Sequence, residues 1–164
     1  MSNPYQAPIS VDANTNKLEF ELASRWQRLG GVMIDGVIAT IITMPAMFYF
    51  GFFEYIKNGQ EPPFQLTLSF SIIGFFIFLA LHGYLLSTSG QTIGKRVVGT
   101  KIVSLENELL SLQSVVGKRY LPIMVATQIP LVGQFVGFID MLFIFGKQKR
   151  CLHDLIAGTK VVKA

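Results

Sequence analysis

Three apolar runs, residues 29–53, 66–86 and 121–145, limit what this chain can fold into. The first holds one charged residue, Asp35, and the third holds one, Asp140; the second holds none, with His82 near its end. Spanning hydrocarbon takes about 20 apolar residues, so each run is long enough. Three such helices in a chain of 164 residues have too little else to hide behind, which makes lipid the expected solvent. Composition agrees: 51% of residues are hydrophobic and only 15% charged, against about a quarter charged in soluble domains. That balance excludes disorder. The single cysteine, Cys151, excludes an internal disulfide and any multi-cysteine metal site. Two histidines argue against a zinc enzyme, and no metal or cofactor is expected.

Residues 1–16 read as a flexible polar tail, with Pro4, Pro8, Asn14 and Asn16. Residues 17–28 then read as a short amphipathic helix at the interface, with Trp26 as a headgroup anchor. The first apolar run lacks a cleavage site behind a short apolar core and is expected to stay in the protein. The basic residues cluster. Lys17, Arg25 and Arg28 precede the first run, and only Lys57 separates the first two. Lys95, Arg96, Lys101, Lys118 and Arg119 lie between the second and third; Lys147, Lys149, Arg150, Lys160 and Lys163 follow. Positive residues stay cytoplasmic, so the N-terminal segment, the long loop and the C-terminus all belong inside. The net charge of +4 follows from this placement and implies no nucleic-acid partner.

Three simple crossings would put the C-terminus outside. A repeated phrase sharpens the conflict: Val98-Gly99-Thr100-Lys101-Ile102-Val103 and Ala157-Gly158-Thr159-Lys160-Val161-Val162 each set a glycine before a β-branched run. Two short strands gain most by pairing, which requires both on one side of a bilayer. A third run that enters and leaves on the same side satisfies both facts. Pro130 can break it by removing a helix hydrogen bond, and broken helices at depth are tolerated where protein covers the backbone. A single Pro-kinked crossing is the alternative. The fold class is therefore an all-α membrane protein: two crossing helices, a third apolar segment that re-enters or kinks, and a short cytoplasmic two-stranded β element.

Asp35 and Asp140 are the leading ion- or proton-binding candidates, because an intramembrane carboxylate is costly without company. Arg28 lies two helical turns before Asp35 on the same face and is expected to reach toward it, directly or through water. Asp140 has Arg119, Arg150 or backbone N–H groups as alternative partners. His153 and Asp154 are adjacent and so point in different directions, which argues against a catalytic dyad; Asp154 is better placed to cap a helix end or a turn. Gly90-Gln91-Thr92-Ile93-Gly94-Lys95-Arg96 lacks phosphate-loop spacing. It reads as a tight turn whose Lys95 and Arg96 face anionic lipid headgroups. No nucleophile–base constellation stands out, so an enzyme is not expected.

Together these stretches resemble the RDD family of small integral membrane proteins. The resemblance rests on Ala23-Ser24-Arg25-Trp26-Gln27-Arg28-Leu29 leading to Ile34-Asp35-Gly36, on the Gly90 to Arg96 stretch with Gly99 after it, and on Arg150-Cys151-Leu152-His153-Asp154 with Ala157-Gly158-Thr159. It covers nearly the whole chain beyond the tail, and it implies a transmembrane domain over residues 17–164. The family is named for one Arg and two Asp. Arg28 and Asp35 map onto two of them, and Asp154 onto the third, with Asp140 a rival. Arg25, His153, Lys95 and Arg96 are supporting candidates. The resemblance implies transport of a small ion or ligand, with cation/proton exchange as one form, in a bacterial inner membrane and in a homo-oligomer. The alternative is an accessory or scaffold protein that recruits a partner through its cytoplasmic loop and C-terminus.

Overall fold

The structure, a computed structural model, describes residues 20–129 and 131–164. The tail assigned to residues 1–16, and the break assigned to Pro130, lie outside the described residues. Two long apolar helices dominate: α1 (Arg25–Tyr49) and α3 (Phe64–Ser89), joined through the short α2 (Phe52–Lys57). Both are long and apolar enough to cross a membrane. Their large side chains face outward, including Ile41 on α1 and Phe76 on α3, so the apolar surface is turned away from the protein rather than into a core.

Of the interfacial helix expected over residues 17–28, residues 25–28 are the first turn of α1 and residues 20–24 are not helical. Residues 20–24 are extended beside the strand β2 (Thr159–Lys163): Ala23 N donates to Val161 O at 3.1 Å and Lys163 N to Glu21 O at 2.9 Å. Main-chain pairing with a strand edge satisfies these groups at no cost in helix nucleation. The helix begins at Arg25 because Ser24 and Gln27 form a reciprocal capping box. Trp26 is exposed at the start of α1.

At the end of α3, Gly90 takes a left-handed φ of 66°. A Cβ there would strike the Ile102 carbonyl oxygen and Leu109, so glycine is required. The segment read as a tight turn is a short helix, α4 (Ile93–Val97), because the Thr92 side chain caps it by accepting from Lys95 N. β1 (Thr100–Ser104) follows and pairs antiparallel with β2, Ile102 opposite Val161. The repeated phrase therefore does pair with itself. The buried apolar core lies beneath this ribbon, where Ala23, Leu86, Ile102, Val115 and Val161 meet.

The third apolar run is broken. α5 (Leu112–Val115) continues as a π-helical turn over Val116–Tyr120 into α6 (Leu121–Ala126); α7 (Gly133–Leu142) and a 3₁₀ turn (Phe143–Phe145) form the second half. The halves turn back on each other, Gly133 N donating to Ile129 O at 2.7 Å. Residues flanking both halves, Arg119 before α6 and Asp140 late in α7, reach α8 (Leu152–Ala157). The run thus folds as a hairpin that starts and ends beside the strand ribbon.

Candidate functional site

Asp154, on the first turn of α8, is completely buried. It accepts from Arg28 Nη1 at 3.1 Å, Arg119 Nη1, Thr159 Oγ1 at 2.9 Å and Cys151 N at 3.3 Å. Arg28 also donates to Val161 O at 2.9 Å, and Arg119 to Thr159 Oγ1 at 3.1 Å. Asp154 therefore caps its own helix and pins α1, the π turn and β2 together. Burial alone would raise its pKa; Arg119, His153, Arg28 and Thr159 outweigh burial and hold it below the ordinary carboxylate range. The π turn matters because it turns Arg119 inward, where it is 3% exposed.

Asp140 accepts from His153 N at 2.8 Å and meets His153 Nδ1 at 2.6 Å. The other ring nitrogen, Nε2, lies 2.9 Å from Arg119 Nη2. A guanidinium only donates, so Nε2 accepts and Nδ1–H donates to Asp140. Burial, then Arg119, lowers the His153 pKa, which keeps the ring neutral at pH 7. His153 and Asp154, expected to diverge, both face Arg119; Nε2 is 3.9 Å from Asp154 Oδ1. Asp140, Cys151 and His153 offer ligand atoms within 4.8 Å of one another, a grouping the sequence reading did not anticipate. It fits a hydrogen-bonded cluster better than a metal site: Nδ1 carries a proton, and burial with the nearby Asp154 and Asp140 pushes the thiol up to about 11.

Asp35 does not pair with Arg28, contrary to expectation. It accepts from Thr92 Oγ1 at 2.5 Å and Gly94 N at 2.7 Å, with His82 Nε2 at 3.8 Å. Ile93 N donates to His82 Nδ1 at 3.2 Å. Asp35 and His82 thus clamp α1 and α3 onto the first turn of α4, a nearer set of donors than an arginine about 10 Å along the same helix. α1 and α4 approach so closely at Gly31 and Gly94 that a Cβ on Gly94 would collide with the Gly31 carbonyl oxygen.

Two cavities adjoin these groups. One of about 180 Å³ is lined by Arg28, Asp35, Lys95, Arg119, His153 and Asp154 among others. The other, about 580 Å³, includes Ser71, Thr127, Gln128 and Asp140 and shares Arg119 and His153 with the first. Gln128 Nε2 donates to Ser71 Oγ at 2.8 Å. Ser71 gives its own proton to Thr67 O at 3.0 Å, which fixes the amide orientation and leaves Gln128 Oε1 buried without a partner among the described residues.

The two acids proposed as one site therefore line different, adjoining cavities. Lys95, expected at the lipid surface, is buried and faces the smaller cavity; Arg96 is exposed. Arg25 donates to Ile144 O at 3.2 Å and Phe145 O at 3.3 Å, tying α1 to the end of the hairpin. Sequence reasoning gave Arg119 only a minor part and assigned no role to Thr92 or Thr159. The signal for Arg119 was its place at the head of an apolar run. Residues 22–158 match the RDD family. The chain belongs to the RDD family.

Among relatives of this RDD protein is the Bacillus subtilis (strain 168) "Uncharacterized protein YckC", 29% identical over 149 residues, covering 88% of this chain and 87% of that protein. Another is "Uncharacterized protein YxaI" from the same organism, 26% identical over 156 residues, covering 85% of this chain and 96% of the relative. No solved structure matches.

Proposed function

We propose that this RDD protein is an integral membrane protein of the bacterial inner membrane that moves a small cation in exchange for a proton at Asp140. The observation that carries this reading is the lining of the larger cavity, where Asp140 and Gln128 meet, with Gln128 Oε1 a buried acceptor that has no donor among the described residues. An unpaired buried acceptor is expensive, and a cation or a water satisfies it. Ser71 and Thr127 add hydroxyl oxygens to the same wall, the hard donor set that suits an alkali or other hard cation. Cation entry would compete with a proton for Asp140. Asp35, held by Thr92 and Gly94 N, lies outside the lining of this cavity and positions helices rather than binding the ion. The basic residues put the N-terminal segment, the β ribbon and the C-terminus in the cytoplasm. Exposed Arg96 would meet anionic headgroups, and the outward apolar faces of α1 and α3 would pack against lipid or a second copy.

Purified protein in proteoliposomes with an imposed pH gradient tests this. Sodium or potassium flux in the wild type, reduced about tenfold or more in Asp140→Asn and in Gln128→Leu, supports exchange. A folded protein that carries neither cation favours the accessory reading, in which the charged cluster only holds the fold.

A further inference from the structure

We propose that the smaller cavity is a binding site for a small, singly charged oxyanion of the phosphate class. Arg28, Lys95 and Arg119 come from three different elements and line this one cavity. All three are at least nine-tenths buried, being 4%, 5% and 3% exposed. Two carboxylates, Asp35 and Asp154, share the cavity, and both are engaged. Asp154 is held by both arginines, Thr159 and Cys151 N. Asp35 is held by Thr92 and Gly94 N, with His82 nearby. His153 is neutral. Three cations therefore face two anions, and the unmatched one is Lys95, whose ammonium has no hydrogen bond or ion pair among the described residues.

Two further donors are unused. Arg28 Nε and Arg119 Nε are buried and have no hydrogen-bond partner among the described residues. Buried donors and an uncompensated ammonium around one space are costly when that space is empty or holds a cation. An anion with several acceptor oxygens can pair with the ammonium and draw on the charge of both guanidinium groups at once. A halide offers a single centre, whereas guanidinium forks are shaped for oxyanions. Leu29, Val32 and Phe78 supply apolar wall, which strengthens the attraction. The volume of about 180 Å³ is below the ~300 Å³ at which sites for larger organic ligands begin, so a phosphate group fits and a nucleotide does not. Phosphate chemistry has two sources, a free anion and an anionic lipid headgroup. The site is independent of the cation reading for Asp140, and either can fail alone.

The test uses the full chain in phosphatidylcholine nanodiscs, titrated with inorganic phosphate against chloride at equal ionic strength. The wild type is expected to bind phosphate saturably and to gain thermal stability from it. Lys95→Met is expected to weaken binding about tenfold or more while its melting temperature without phosphate stays level or rises; Lys95→Arg is expected to retain binding. A second arm follows phosphatidylglycerol through delipidation by native mass spectrometry. Retention on the wild type that Lys95→Met loses assigns the site to a lipid phosphate. Absence of both phosphate binding and Lys95-dependent lipid retention overturns the inference, as does undiminished binding by Lys95→Met. Should Lys95→Met not fold, Lys95→Gln serves the same comparison.

Discussion

Asp154 sits between two buried arginines, and removing it strands both charges. Asp154→Asn is expected to lower unfolding stability by about 3–5 kcal/mol, the usual cost of breaking a buried pair from one side, measured by denaturant titration in detergent. The pH dependence has a definite sign. The Asp154 pKa is lower in the folded protein, so its contribution is present above the ordinary carboxylate pKa of about 3.9 and disappears as pH falls through the folded value. Lys95 behaves differently. Burial and then Arg119 lower it to about 8, against the pull of Asp35 and Asp154. The unfolded chain therefore holds more protons between about 8 and 10.5, and stability rises with pH in that window. With Arg28 and Arg119 charged throughout, and phosphate absent, the wild type should gain up to roughly 3 kcal/mol across it relative to Lys95→Met. No difference in slope between the two would contradict a buried, unpaired ammonium. At this scale the sequence was partly legible. It pointed to Arg28, Asp35 and Asp140 because charges in or beside apolar runs demand partners, and to Asp154 as a cap and through the family resemblance. It could not say which partner, since heptad spacing put Arg28 beside Asp35 while tertiary packing brought Asp154 and the α4 backbone closer.

At the scale of elements, the ribbon was readable from its repeated phrase, because each copy carries its own glycine and β-branched run. That the third apolar run does not form one helix was also readable, although Pro130, to which the break was assigned, lies outside the described residues. What escaped was α4. Its five residues give too little periodicity to see, and only Thr92 marked a helix start. The consequence is a tight seam. Gly94 has no room for a methyl against Gly31 and Asp35, whereas Gly36 has nothing within 4 Å of an added Cβ. Gly94→Ala should cost about 1–3 kcal/mol through overpacking and loosen Asp35 from Thr92. Gly36→Ala, in the same helix as Asp35, should be neutral or slightly stabilising because alanine is the better helix former. Thermal unfolding of the two variants side by side reads the difference; equal melting temperatures would mean that α1 and α4 do not meet as described.

For the whole molecule, the pairing of β1 with β2 dictates how many times the chain can cross a membrane. The strands are hydrogen-bonded partners, so they share one side, and the segment between them must cross an even number of times or not at all. That segment contains the hairpin of α6 and α7, whose ends both return to α8 through Arg119 and Asp140. Two broken halves are each too short to span about 30 Å of hydrocarbon, so on the proposed membrane reading the hairpin would enter and leave together, and α1 and α3, both long and apolar enough, would make the two crossings. Single cysteines at Leu105, Ala164 and Asn58 in a Cys151→Ser background turn this into a measurement. Leu105 is exposed just after β1, Ala164 is exposed after β2, and Asn58 is exposed in the turn after α2, at the opposite end of the helix pair. In intact cells, a membrane-impermeant maleimide should react with the Asn58 position and spare the other two; in inverted vesicles the pattern should reverse. Opposite accessibility of the Leu105 and Ala164 positions would require β1 and β2 to separate, and with them the pocket that Asp154 closes.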